Sequence, residues 1–209
     1  MLTVCLILVS YVIGSIPTSI IFGKVFRGID IREHGSHNPG ATNTFRVLGK
    51  GIGVTVGAID IFKGYFCVVF LTMLIPADVS VSSEIRRILA GLAAVSGHVW
   101  TMFAGFKGGK GVGTAFGVFL GLAPLSSLFA LIVWVVLTFG TGYVSLGSIA
   151  AAAVLPASII ILGLINDNLS YVLSTLALLV GALVIVRHRS NIGRLFRGEE
   201  NRFGKRGKQ

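Results

Sequence analysis

Apolar residues run almost unbroken over 2–22 and again over 51–75, 86–104, 144–165 and 169–186. Each run is roughly the length a helix needs to cross a bilayer. Residues 112–140 form a longer apolar stretch interrupted by Pro124, which predicts one kinked helix or a hairpin of two shorter ones. The polar intervals decide between them. Of the 18 Lys and Arg residues, 15 fall in 23–50, 105–111 and 187–209. The positive-inside rule places all three intervals on the cytoplasmic face, so the chain must cross an even number of times between residue 111 and the tail. The hairpin satisfies this with 141–143 also cytoplasmic, whereas a single kinked helix would export the tail. The expectation is an all-α polytopic membrane protein with seven transmembrane helices, N-terminus outside and C-terminus inside, in which 112–122 is too short to span fully. Arg86 and Arg87 would lie near the outer surface, as an exception to the charge rule.

The sequence contains no internal repeat, low-complexity tract or domain boundary. A single domain over 1–209 is expected, with a basic cytoplasmic tail from about residue 187. Glycines recur at four-residue spacing, at Gly49, Gly53 and Gly57 and at Gly113, Gly117 and Gly121. In lipid, where apolar burial gives helices no reason to associate, such residues allow close backbone approach.

Composition agrees with the pattern. The chain of 209 residues is 54% hydrophobic and 12% charged, with mean hydropathy +0.87, which excludes an ordinary soluble domain. The net charge of +10 therefore does not signal nucleic acid. It suits topology, anionic lipid headgroups or an acidic substrate. Cys5 and Cys67 lie in apolar runs without metal-site or disulfide spacing. The first run lacks a basic leader and a small-residue cleavage site, and reads as a retained helix.

Candidate chemistry is concentrated between the apolar runs. Gly105-Phe106-Lys107-Gly108-Gly109-Lys110-Gly111-Val112-Gly113-Thr114 is glycine-rich with two lysines. Its amides are expected to turn toward one point and bind an anion, with lysine adding charge for phosphate. Lys110 is followed by Gly111, so this is not a Walker A loop. A plain basic turn is the alternative. The first loop carries Gly35-Ser36-His37-Asn38-Pro39-Gly40-Ala41-Thr42-Asn43 and Arg46. These residues can bind phosphate or a polyol, or simply cap a turn. His98 stands two turns before the glycine run, on an apolar helix where a satisfied core histidine is the commoner case. Tyr143 to Ser148 opens the sixth helix with Ser145 and Ser148 on one face, and Arg187-His188-Arg189-Ser190-Asn191-Ile192 closes the last. Hydroxyls at a helix start can hold an anion or cap the helix. Asp60 and Lys63 share a helix face and can pair in the bundle. Acidic residues near these motifs are few, so no metal and no cofactor is expected.

With these motifs in hand, the sequence resembles the bacterial acyl-phosphate:glycerol-3-phosphate acyltransferases, the PlsY family. The resemblance rests on Gly35 to Asn43 with Arg46, Gly97-His98 through Phe106 to Gly111, Tyr143-Val144-Ser145, and Arg187 to Ile192 with a following glutamate. Two residues depart from it: His37 stands where glycine is usual, and Thr101 where proline is usual. The resemblance implies a seven-helix fold in the bacterial inner membrane with a site facing the cytoplasm. It also implies acyl transfer from acyl phosphate to the 1-hydroxyl of sn-glycerol 3-phosphate, giving lysophosphatidate and inorganic phosphate. A functional link to the enzyme that forms acyl phosphate follows. The catalytic set is Ser36, Arg46, Lys107, His188 and Asn191. The substrate-binding set is Gly35, Asn38, Gly40, Ala41, Thr42, Asn43, Lys63, His98, Gly108, Gly109, Lys110, Gly111, Thr114, Ser145, Ser148, Arg187 and Arg189.

The residues suit this chemistry. Both substrates carry phosphate, and the donor is an activated anhydride, so alignment and charge neutralisation are the main requirements. The resemblance implies that a substrate phosphate oxygen takes the proton; His98 or His188 as base is the competitor. A transporter of a phosphorylated metabolite is the alternative function, disfavoured by the absence of paired repeats and by the crowding of polar motifs on one face.

Overall fold

The computed structural model describes residues 1–74, 76 and 81–202. The end of the second apolar run at residue 75 and the part of the basic tail over 203–209 lie outside the described residues. Among the described residues there is no strand. The chain divides into two compact units, Met1–Leu122 and Ala123–Gln209.

The first unit contains α1 (Leu2–Ser15), α2 (Thr18–Arg27), α3 (Ala41–Leu48), α4 (Lys50–Val68), α5 (Phe70–Leu74), α6 (Ser83–Val99) and α7 (Val112–Leu122). The first apolar run is thus two helices rather than one. Pro17 has no amide hydrogen and cannot continue α1, so the chain breaks at Ile16 and restarts at Thr18. The first loop also differs from expectation, because it contains α3, which carries Ala41, Thr42, Asn43 and Arg46. Gly49 adopts φ 99 and separates α3 from α4, so it breaks a helix rather than lining one. The third run ends as a helix at Val99, before residue 104.

Glycine sets the helix spacing. A Cβ on Gly117 would overlap the Ile61 carbonyl, one on Gly121 would lie 2.9 Å from Val69, and one on Gly64 would overlap the Thr114 carbonyl, so α4 and α7 pack backbone to backbone. Gly14 against Ala94 and Gly97 against Tyr11 do the same for α1 and α6. Leu6, Cys67, Leu71, Ala90 and Ala94 form a buried cluster where α1, α4, α5 and α6 meet. Arg87 donates to the carbonyls of Val68 and Gly121. The exception to the charge rule therefore caps two helix ends, where carbonyls lack intrahelical partners.

The second unit contains α8 (Pro124–Thr141), α9 (Val144–Ile165), α10 (Tyr171–Arg187) and α11 (Arg189–Phe196). The 112–140 stretch is two helices, as its composition predicts, with Pro124 in the first turn of α8, where a missing amide hydrogen costs nothing. Gly147 brings α9 onto α8, where a Cβ in its place would lie 2.8 Å from the Trp134 carbonyl oxygen, and Gly181 brings α10 onto α9, where a Cβ would lie 2.6 Å from the Ala152 carbonyl oxygen. The tail forms α11, bent 56° from α10.

Among the described residues, four segments are long and apolar enough to cross a membrane, Leu2–Arg27, Lys50–Leu74, Pro124–Thr141 and Val144–Ile165, and α10 with α11 makes a fifth if the bent pair is one span. Large apolar side chains such as Leu8, Phe62, Phe139 and Leu164 face outward, as lipid contact requires.

Candidate active site

In the first unit, the loop after α2 is built around one ion pair and one amide. Asp30 accepts from the Arg32 backbone amide at 2.9 Å, and the Arg32 guanidinium grips the same carboxylate through Nη2 at 2.7 Å. This hydrogen bonding holds the Asp30 carboxyl at about 2, below its usual 3.8. Arg32 Nη1 also donates to the Ala104 carbonyl at 3.1 Å, tying the first loop to the segment that leads into the glycine run.

Asn43, buried on α3, works inward. Its Oδ1 accepts from the Ser36 amide at 2.8 Å, and its Nδ2 donates to the carbonyls of Ile31 at 3.1 Å and His34 at 2.9 Å. The side chain that sequence reading gives to substrate therefore shapes the loop that presents Ser36. Gly35 turns with φ 62, and a Cβ there would overlap Asn43 Oδ1. His37 has φ 57. This is the left-handed conformation that glycine adopts without cost, which explains physically why glycine suits that position. Ser36, Asn38 and Thr42 are half-buried around the start of α3, with Gly40 and Ala41 at its N-terminus, and Arg46 is half-buried in its last turn.

The glycine run corrects another expectation. The amides of Phe106, Lys107, Gly108 and Gly109 do not converge on open space. They donate in turn to the carbonyls of Thr101, Ala104, Val99 and His98, at 2.9, 3.3, 3.1 and 3.2 Å. The run is thereby stitched to the end of α6. The amides of this region that helix geometry leaves without intrahelical partners are those at the first turn of α7; Gly111, with φ 84, turns the chain into that helix. Lys107 is exposed beside it and Lys110 half-buried. Thr114 is fully buried, and its hydroxyl makes no hydrogen bond among the described residues.

Beneath the run lies a cleft lined by Ser15 to Ile20, Pro39, Asp60, His98, Thr101, Gly108 and Gly109. Its floor is a polar network between buried helix faces. Asp60 Oδ1 pairs with Lys63 Nζ at 2.9 Å, accepts from Thr18 Oγ1 at 3.2 Å and lies 3.7 Å from His98 Nδ1. Lys63 Nζ also donates to the Ile16 carbonyl at 3.2 Å, and Thr101 Oγ1 donates to the Ser15 carbonyl. The helix break at Pro17 makes both carbonyls available. Of the predicted residues, His98, Gly108 and Gly109 line the cleft and Lys63 joins its floor; Ser15, Thr18, Asp60 and Thr101 were not assigned to the site from sequence. The signal that could have revealed them is Ser15, Pro17, Thr18 and Ser19 interrupting an apolar run.

In the second unit, Tyr143, Ser145 and Ser148 start α9, and none of them caps it by its side chain. Ser148 Oγ donates to Val144 at 2.8 Å and accepts from Trp134 Nε1 at 3.2 Å. Ser145 Oγ donates to Glu200 Oε1 at 2.9 Å, as does Asn191 Nδ2 at 2.7 Å, and Arg194 Nε donates to Oε2 at 2.7 Å. Burial pushes the Glu200 carboxyl up, but the donors Asn191, Arg194 and Ser145 outweigh it and hold the carboxyl below its usual value. His188, buried where α10 gives way to α11, is 2.8 Å from the Val184 carbonyl through Nδ1. A carbonyl only accepts, so Nδ1 carries the hydrogen and Nε2 is the basic nitrogen of the neutral ring. Arg187 is half-buried and Arg189 exposed on either side.

The family model described as Glycerol-3-phosphate acyltransferase matches residues 4–198. The chain is 46% identical over 225 residues to a glycerol-3-phosphate acyltransferase of Chlorobaculum parvum, covering 96% of this chain and 97% of that protein. It is 44% identical over 233 residues to one of Chlorobium chlorochromatii, covering 98% and 100%. Its fold is similar to the crystal structure of PlsY (YgiH), an integral membrane glycerol 3-phosphate acyltransferase, in the glycerol 3-phosphate form, with TM-score 0.86, 38% identity and 97% and 96% coverage. A match that spans both units, at this identity and with this agreement in fold, places the chain in the glycerol-3-phosphate acyltransferase family of multi-pass membrane proteins.

Proposed function

We propose that this chain transfers a fatty acyl group from acyl phosphate to the 1-hydroxyl of sn-glycerol 3-phosphate, giving lysophosphatidate and inorganic phosphate. The observation that carries the reading is the likeness, over nearly the whole chain, to a PlsY structure in its glycerol 3-phosphate form. That likeness favours acyl transfer over transport.

The hydroxyl oxygen attacks the acyl carbonyl carbon, the bond from that carbon to the bridging oxygen breaks, and phosphate departs. The proton passes to a phosphate oxygen, so no added base is required. Lys107, Arg46 and the first turn of α7 supply positive charge and donors for phosphate. Ser36, Asn38 and Thr42 orient the polar substrates within the loop that Asn43 holds, and the family resemblance gives Ser145, His188 and Asn191 substrate-binding roles as well. Seven crossing segments, α1 with α2, α4 with α5, α6, α7, α8, α9 and α10, fit the charge pattern. The N-terminus then lies outside, and the site and C-terminus face the cytoplasm of a bacterial inner membrane. In this reading the 209 residues work as one domain, supplied by the enzyme that makes acyl phosphate.

The test is an assay of purified protein in lipid with long-chain acyl phosphate and glycerol 3-phosphate, following phosphate and lysophosphatidate together, with acyl-CoA in parallel. Equal formation of both products from acyl phosphate alone is expected. No product from either donor, with folded protein, would overturn the reading.

A further inference from the structure

We propose that the segment 100–106 docks into the headgroup layer of a phospholipid bilayer through Trp100, Met102, Phe103 and Phe106, and that it thereby holds Lys107 at the level of the lipid phosphates.

The segment joins α6 to the glycine run. Four large apolar side chains stand out from it: Trp100 is 43% exposed, Met102 47%, Phe103 57% and Phe106 62%. Apolar groups crowded on a surface in this way mark contact with protein or membrane. The turn after α9 differs, since its exposed residues are Asn166, Asp167 and Asn168.

The backbone of the segment suits a medium poor in water. The amides of Trp100, Ala104, Phe106 and Lys107 donate to the carbonyls of Ser96, Thr101, Thr101 and Ala104, and the Phe103 amide donates to Thr101 Oγ1. The carbonyls of Trp100 and Ala104 accept from the Tyr11 hydroxyl at 2.6 Å and from Arg32 Nη1 at 3.1 Å. Backbone groups that already have partners lose little when water is withdrawn. Phe106 adds a conformational argument. Its φ of 59 is left-handed, which a residue with a side chain adopts at a cost. Most of the side chain lies outside the protein, so packing within the chain does little to offset that cost. Contact with lipid does.

The surroundings identify the occupant as a bilayer. Tyr11 ties Trp100 to α1, whose side chains Leu8, Val12 and Ile16 are exposed along a run long enough to span a membrane, so the apolar patch adjoins a lipid-facing helix. Lys107 follows directly and is exposed. Aromatic rings next to a lysine settle at a membrane interface, the rings among the headgroups and the ammonium at the phosphates.

Trp100 and Trp134 are the only tryptophans in the sequence, so Trp134→Phe leaves one reporter, inside the segment. The full-length variant is reconstituted in phosphatidylcholine vesicles containing phosphatidylglycerol. Its emission is quenched in turn by lipids brominated near the headgroup, by lipids brominated near the chain ends and by iodide in the water. Headgroup-side bromine should remove more of the Trp100 emission than either of the others. Adding Phe103→Asp, whose carboxylate resists entry into the interface, should shift emission to the red and make iodide the strongest quencher. Quenching by iodide alone would place the segment in water, and stronger quenching from the chain ends would place it in the hydrocarbon core; either overturns the proposal. Protection from all three quenchers overturns it too, because protein would then cover Trp100. An unchanged order in the Phe103→Asp variant would count against it as well, since the apolar side chains would not be what holds the segment in place. Should Trp134→Phe fail to fold, the difference between wild type and Trp100→Phe gives the same readings. No turnover enters these measurements, so their outcome is independent of the acyl-transfer reading.

Discussion

Asp60 and Lys63 stand one turn apart on α4 and pair at 2.9 Å with both side chains buried. A buried pair contributes little net stability, but removing one partner strands the other charge. Asp60→Ala or Lys63→Ala should each lower stability by about 3 kcal/mol or more. The double change Asp60→Leu with Lys63→Met should recover much of this. Denaturant unfolding in detergent checks both, and equal losses in single and double variants would contradict the account.

Gly109 and Gly105 serve the same segment for different reasons. A Cβ on Gly109 would overlap the His98 ring and lie 3.1 Å from the Pro39 carbonyl oxygen. Gly105 has open space around it but φ 64. Gly109→Ala should cut acyl transfer sharply by displacing His98 from the cleft. Gly105→Ala should cost about 1–2 kcal/mol of stability, the strain of a left-handed residue with a side chain. Measuring turnover and unfolding for both variants separates the two.

Lys107 is exposed, so Lys107→Ala should leave the unfolding temperature unchanged. If its ammonium meets the transferring phosphate, kcat/KM should fall about 100-fold, as for loss of one charge-stabilising donor. Steady-state kinetics with acyl phosphate decide this. His98→Ala and His188→Gln test the proton acceptor, because losing a general base costs about 100-fold or more in kcat. Turnover retained at saturating substrate in both would leave a phosphate oxygen as the acceptor.

Thr101 has φ −66, the value proline imposes, so the backbone here fits the proline that the family resemblance implies. The hydroxyl makes a bond that proline cannot, to the Ser15 carbonyl. Thr101→Pro should therefore change stability by no more than about 1 kcal/mol, the stiffer unfolded chain offsetting the lost hydrogen bond. Thr101→Val, which loses the bond without that offset, should be the less stable of the two in thermal unfolding.

The Asp30 carboxyl is held at about 2 against an ordinary 3.8. Stabilisation from its ionised form is complete above the ordinary value and disappears as pH falls through about 2. Asp30→Asn should flatten the dependence of unfolding free energy on pH in that window. It should also loosen the tie from Arg32 to Ala104. A carboxyl titration of wild type by NMR gives the shift directly.

Hydropathy, helix breakers and glycine spacing are local properties, and they determined much of this protein from sequence alone. The apolar runs became helices, Pro124 marked the start of α8, and Gly113, Gly117 and Gly121 lie along the face of α7 against α4. The polar motifs were legible as groups for the same reason. What only the tertiary structure decided is the partner of each polar atom. Asn43 turned inward because the loop before it needed its two ends satisfied. The amides of Gly108 and Gly109 went to the end of α6, and those of Phe106 and Lys107 to Thr101 and Ala104 just beyond it, because those carbonyls were within reach. Asp60, Thr18 and His98 come from three helices, and Glu200 meets Ser145 across 55 positions of chain. A residue's type limits the bonds it can make, but which bond forms depends on the segments that packing brings beside it, and those are far apart in sequence.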